Sequence, residues 1–220
     1  MEGIIFDLDG VICSTDRFHF DAWRTVMEKV GISIGEDVNS KIRGVSRMEG
    51  LNRILGDRVA EFSQEEKEEL AQEKNKLYIT LLDGMTEKDV SQEVLDTLHQ
   101  LRKMGLKMAI GSSSKNAKLV LQKVGLGEFF DAVSDGNGIQ KAKPDPEVFL
   151  RAAAMIGLKP SQCLVVEDAF TGIDAAQRGG FISAGIGDAA RYAKADYRLE
   201  HFSDLIRIAE SLKKELKESI

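Results

Sequence analysis

Cysteine is scarce: Cys13 and Cys163 are the two among 220 residues. They stand far apart with no metal-type spacing, which predicts free, packed thiols in a reducing compartment. Positive charge is not in surplus either, since 30 Lys and Arg face 36 Asp and Glu for a net charge of -6. A nucleic-acid partner, which calls for a basic stripe, is therefore not expected. A small anionic ligand at a locally positive site remains open. No apolar run reaches the roughly eighteen residues of a membrane-spanning helix. The amino terminus has no basic region followed by a long apolar segment, so neither a secretory leader nor a membrane partner is expected, and a cytoplasmic location is. Repeats and low-complexity tracts are missing as well.

The composition that is left is a soluble one, 43% hydrophobic and 30% charged, long enough for one large domain or for one domain carrying a smaller insertion. The first residues read as a short buried strand, Gly3 to Phe6, ended by a turn at Gly10. From about 15 to 81 the chain looks wholly helical. Phe18, Ala22, Val26 and Val30 recur every fourth position, and Gly31 suits the stop after them. Ser63 with Glu66 predicts a capping box opening a helix that carries Leu70, Leu77 and Leu81 on one side. Lys74 falls on that apolar face, where a lysine either snorkels to solvent or points into a cleft.

Beyond Asp83 apolar runs alternate with helical segments: KMAIG then KLVLQKVG, DAVS then PEVFLRAAAMIG, CLVVE then AFTGIDAAQRGG, and lastly FISAGIG. Such alternation predicts an α/β fold, a doubly wound parallel sheet with helices on both faces. The first strand joins that sheet as a central member. The expected organisation is an α/β core of residues 1–14 and 82–220, with residues 15–81 inserted as a helical cap after strand one. The charged ending SLKKELKESI reads as a solvated helix.

In an open parallel sheet ligands bind at the carboxyl ends of the strands, so the residues just past each apolar run carry the chemistry. After IIF come Asp7, Leu8, Asp9 and Gly10; after MAI comes GSSSKN, residues 111–116; Lys143 stands in QKAKPDPEVF; and after CLVV come Glu167 and Asp168. Carboxylates two apart on a strand lie roughly 7 Å from each other, and their repulsion at an effective dielectric near 20 is about 2 kcal/mol. Four such groups on one edge call for a divalent cation, and oxygen-only ligands point to Mg²⁺ that also holds a phosphate. The metal ligands expected are Asp7, Asp9, Glu167 and Asp168. The serine-rich turn and the helix after it would receive an anion, with Ser113 or Ser114 also capping that helix, and Lys143 would add a fixed positive charge. Asp7 is then the nucleophile toward phosphorus, and Asp9 the acid/base at the leaving oxygen.

The DLDGVI start, Ser112 after an apolar strand, the lysine of KAKPDP and the ED pair occur in this order along nearly the whole chain. Together they resemble the haloacid dehalogenase superfamily of phosphotransferases. That resemblance implies an aspartyl-phosphate at Asp7, acid/base catalysis by Asp9, Mg²⁺ at Glu167 and Asp168, and phosphoryl binding by Ser112 and Lys143. The helical insertion is similar, more narrowly, to the β-phosphoglucomutase-like subfamily. The matches are Thr15, His19 and Trp23 in TDRFHFDAW, the turn Arg43-Gly44-Val45-Ser46-Arg47, and Lys74-Asn75 in QEKNKLY. This narrower resemblance implies interconversion of β-D-glucose 1-phosphate and glucose 6-phosphate through a bound β-glucose 1,6-bisphosphate; a monomer is expected. It implies a hinge at Thr15, closure coupled to Asp9 through His19, and a second phosphate held by Arg47 with Ser114, Lys115 and Asn116. Gly50 is a departure, standing where those enzymes usually carry a serine facing the sugar. The alternative expectation is a phosphatase acting on a small sugar phosphate or a phosphoglycolate-like ester, which shares every core residue and differs in letting water attack the intermediate.

Overall fold

The computed structural model of the chain describes residues 1–38, 42 and 45–218. Arg43 and Gly44, expected in the substrate-binding turn, lie outside the described residues. Strands β1 (Gly3–Phe6), β2 (Lys107–Gly111), β3 (Ala132–Ser134), β4 (Cys163–Glu167), β5 (Ile182–Gly185) and β6 (Tyr197–Arg198) form one parallel sheet in the order β3-β2-β1-β4-β5-β6. The early apolar run is thus the central strand, with Ile5 paired to Ala109 on one side and Val165 on the other.

The pleat produces two apolar layers. Ile4 and Phe6 of β1, Met108 and Ile110 of β2, and Leu164 and Val166 of β4 enter one buried cluster. That cluster is closed by α4 (Gln92–Lys103), α5 (Ala117–Lys123) and α8 (Asp204–Glu218) through Leu98, Val120 and Leu205. Ile5, Ala109 and Val165 point the other way, onto Val148, Phe149 and Ala152 of α6 (Glu147–Met155) and Ala175 and Ala176 of α7 (Phe170–Arg178). Each fully buried Ile, Leu, Val or Phe here contributes roughly 1.5–3 kcal/mol. The sheet is therefore doubly wound, as the alternation predicts. Its strand order reverses between β1 and β4, and the crevice for a ligand opens there.

Between β1 and β2 run α1 (Asp16–Lys29), α2 (Arg47–Leu55) and α3 (Gln64–Leu81). They bury an apolar cluster of their own, formed by Trp23, Val26 and Met27 of α1, Leu51 and Leu55 of α2, and Leu70 and Ala71 of α3. The stretch is not helical throughout, as its composition suggested. Gly31, at φ 71°, ends α1 in the left-handed region that a glycine enters without strain, and a tight 3-10 turn over Gly56–Glu61 separates α2 from α3. The capping box holds: Glu66 N–H donates to Ser63 Oγ at 3.2 Å and Ser63 N–H to Glu66 Oε2 at 2.7 Å. The buried face of α3 is Leu70, Ala71, Lys74 and Tyr78, whereas Leu77 and Leu81 are partly exposed against the main core. Strand β6, two residues long, carries no apolar run that would announce it. Helix α8 starts ahead of the charged ending and buries Leu205, Ala209 and Leu212. No described helix is long and apolar enough to cross a membrane.

Candidate active site

The backbone N–H of Asp7 donates to Val166 O at 2.9 Å, so pairing with β4 continues past the end of β1. This brings the Asp7 carboxylate beside those of Glu167 and Asp168. All three are buried, and an oxygen of each lies within 4.8 Å of the others. Glycine makes the approach possible on both flanks. A Cβ on Gly172 would stand 1.9 Å from the Glu167 carboxyl, and one on Gly10, at φ 82°, would stand 2.1 Å from Asp168 Oδ2.

Lys143 comes in from the loop between β3 and α6 and is 3% exposed. Its Nζ donates to Asp7 Oδ1 at 2.6 Å and to Glu167 Oε1 at 2.5 Å, and it stands 4.6 Å over the Phe149 ring. Burial alone would lower its pKa; the Asp7 and Glu167 carboxylates reverse that and hold it above the ordinary lysine value. The other Glu167 oxygen accepts from Ala169 N–H at 2.8 Å. The donor set of the triple, three buried carboxylates with no nitrogen or sulfur, fits a small hard cation such as Mg²⁺. Asp9 does not join it. Its carboxylate accepts from the Thr15 hydroxyl and opens on the cavity. Desolvation there and then the Asp7 charge push its pKa up to about 7, against the Thr15 hydrogen bond.

The serine turn leaves β2 with Ser112 N–H donating to Ser134 O at 3.0 Å. Ser112 Oγ accepts from Ser114 N–H at 3.1 Å, and Ser114 Oγ from Asn116 N–H at 3.2 Å. Neither Ser113 nor Ser114 caps α5 as expected. Asn116 is its N-cap residue, without a side-chain cap bond, and the Ser114 oxygen is used one step earlier, on the Asn116 N–H. The buried Ser113 Oγ has no hydrogen-bond partner among the described residues.

Facing this edge across a cavity of about 470 Å³ are His19 and Trp23 of α1, Val45, Ser46 and Arg47 at the start of α2, and Lys74 of α3; Asp7, Asp9, Ser112, Ser114, Lys115 and Asn116 line the core side. Ser46 also caps α2, accepting from Glu49 N–H at 3.3 Å. Trp23 is both cavity wall and part of the helical core. Thr15, the expected hinge, is fully buried at the N-cap of α1 and tied to Asp9. Gly50 lines the cavity, and a Cβ there would meet Ile42 at an ordinary 3.6 Å.

Lys74 points into the cleft rather than snorkelling. It is 2% exposed, its Nζ lies 2.6 Å from His19 Nδ1, and it stacks over the rings of Tyr78 at 4.5 Å and Trp23 at 5.4 Å. The His19 ring lies parallel to Tyr78 at 4.2 Å. Burial, then Lys74 and Arg47, hold the His19 pKa well below its ordinary value, so the ring is neutral and Nδ1 accepts from the lysine. Asn75, matched together with Lys74 in the narrower resemblance, accepts at Oδ1 from Arg47 at 2.7 Å and Asn116 Nδ2 at 2.9 Å, whereas Tyr78, one turn beyond Lys74, was missed by sequence reasoning. An aromatic at i+4 from a lysine is the sequence signal for Tyr78.

The buried lysine has a measurable consequence. Burial, then Arg47, lower the Lys74 pKa from 10.5 to about 7, with Asp9 opposing. Between those values the unfolded chain holds a proton that the folded one has given up, so stability rises with pH across that window. Wild type should therefore gain on Lys74→Met by a few kcal/mol as pH climbs from about 7 toward 10.5, in paired urea titrations. Parallel curves for the two proteins would contradict the assignment.

Comparison with known proteins adds to this geometry. The haloacid dehalogenase-like hydrolase model matches residues 1–180. The chain is 37% identical over 207 residues to the β-phosphoglucomutase of Bacillus subtilis, covering 93% of this chain and 92% of that one. It is 30% identical over 183 residues to the phosphorylated carbohydrates phosphatase of Thermotoga maritima, 82% of each chain. The crystal structure of β-phosphoglucomutase from Clostridium difficile superposes with a TM-score of 0.91 at 37% identity, covering 98% of this chain and 99% of that one.

Proposed function

The chain belongs to the haloacid dehalogenase-like hydrolase family, and we propose that within it the protein is a phosphomutase interconverting β-D-glucose 1-phosphate and glucose 6-phosphate through β-glucose 1,6-bisphosphate. The observation that carries this reading is one cavity lined both by Asp7, Asp9 and Ser112 of the sheet edge and by Arg47 and Lys74 of the helical segment. Its volume of about 470 Å³ is that of a small-molecule pocket. A mutase needs cations at a second phosphate and a site closed to water; a simple ester hydrolase needs neither.

An Asp7 oxygen attacks phosphorus, the bond from phosphorus to the sugar oxygen breaks, and Asp9 gives that oxygen a proton. In the other half the free 6-hydroxyl of an incoming glucose 1-phosphate loses its proton to Asp9 and takes the phosphoryl group from Asp7, which gives the bisphosphate again. A pKa of about 7 suits Asp9 to both directions near neutral pH. Lys143 and the serine turn hold the phosphoryl oxygens. Mg²⁺, held by Asp7, Glu167 and Asp168, would supply charge neutralisation at that group when bound.

The test supplies β-glucose 1-phosphate, Mg²⁺ and a trace of bisphosphate, and couples the product to glucose 6-phosphate oxidation. Glucose 6-phosphate without free phosphate supports the mutase. Release of free phosphate without it would favour the second reading, a sugar-phosphate phosphatase, which the likeness to the Thermotoga maritima phosphatase keeps in view. The panel should include mannose and allose 1-phosphates, because Gly50 leaves the sugar end without a side chain.

A further inference from the structure

One oxygen in the cavity wall joins the helical segment to the sheet domain. Asn75 Oδ1, on α3, accepts from the Arg47 guanidinium at the start of α2 at 2.7 Å and from Asn116 Nδ2, ahead of α5, at 2.9 Å. Arginine can only donate, so the atom facing it is the amide oxygen rather than the nitrogen. Arg47 and Asn116 both line the cavity. We propose that Asn75 is a positioning residue, an uncharged latch that draws the helical segment onto the sheet edge and holds Arg47 and Asn116 together as a receiver for the phosphate that is not being transferred. The inference rests on the mutase reading for the identity of that phosphate.

The choice of an amide matters physically. A carboxylate at this position would bind the guanidinium more strongly, yet it would cancel the Arg47 charge and repel an arriving phosphate. An alanine would free both donors to rotate, and a ligand would then have to order two side chains and the segment that carries them. Asparagine aligns the pair and leaves the positive charge in place. Its side chain is half-buried on a regular helix, and alanine is the better helix former, so the variants should keep the fold.

The experiment compares wild type, Asn75→Ala and Asn75→Asp on two ligands. β-Glucose 1,6-bisphosphate, in the mutase assay, has a second phosphate; p-nitrophenyl phosphate, in a release assay, has none. Asn75→Ala should raise the KM for the bisphosphate about tenfold and leave kcat/KM for the aryl ester within about twofold. In scattering without ligand it should be more expanded than wild type. Asn75→Asp should be as compact as wild type, because the acceptor remains, and should still raise the bisphosphate KM by at least as much as alanine does. Equal losses on both ligands would overturn the proposal in favour of a merely structural residue, as would an unchanged bisphosphate KM in Asn75→Ala. Should wild type make no glucose 6-phosphate, the mutase reading falls by itself, and the scattering comparison still decides whether Asn75 latches the segment.

Discussion

Asp7→Asn should lower turnover by at least about four orders of magnitude, because it removes the attacking charge and, with it, one of the three carboxylates of the cation site, while leaving the fold in place. The amide has nearly the volume of the acid, and the backbone bond from residue 7 to Val166 O is untouched. Lys143 keeps Glu167 as a charged partner, so the buried ammonium is not stranded. The variant should fold, bind sugar phosphates and fail to become labelled. Two measurements check this together: the steady-state rate, and hydroxylamine-labile phosphate on the acid-quenched protein after exposure to labelled bisphosphate. Wild type should carry the label, and the variant none. Turnover within about a hundredfold of wild type would mean that phosphorus meets some other nucleophile.

The parts of this site that could be read from the sequence share a property. Asp7, Ser112, Glu167 and Asp168 each end or follow an apolar run, and a parallel sheet sends such positions to one edge whatever the loops do. The central place of β1 was equally legible, since an apolar run without alternation fits a strand buried on both faces. The features that stayed hidden depend on meetings between distant elements. The Asn75 contacts span 28 and 41 residues, and no local pattern announces them. Whether Lys74 snorkels or turns inward is decided by His19, Trp23 and Tyr78, two of which come from another helix. Gly10 and Gly172 look like ordinary turn and helix glycines until Asp168 and Glu167 are seen filling the space of their missing side chains. The serine turn misled in the opposite sense. Three consecutive hydroxyls before a helix suggest a cap, but Ser112 and Ser114 fold the turn on itself.

The same crowding of charge sets the largest expected effect on stability. Asp7, Glu167 and Asp168 have oxygens within 4.8 Å of one another, and Lys143 is the protein cation bonded to two of them. Replacing it by methionine fills a similar volume beside Phe149 but leaves Asp7 and Glu167 without that partner. Removing one member of a buried ion pair commonly costs about 3–5 kcal/mol, and Lys143→Met should lose that much in buffer containing a chelator. A divalent cation should then return part of the loss, since it binds the folded triple and not the unfolded chain. At a hundredfold excess over its dissociation constant the return is about 2.7 kcal/mol. Wild type should gain less from the same concentration, because its own ammonium already competes for Asp7 and Glu167 and weakens the binding. Activity should stay low in the variant even with the metal present, for the charge on the transferring phosphoryl group is no longer met by Lys143. Urea titrations of both proteins, with Mg²⁺ and with chelator, separate the two effects. A variant as stable as wild type in chelator, and indifferent to Mg²⁺, would show that these carboxylates are protonated rather than held as a charged receiver for a metal.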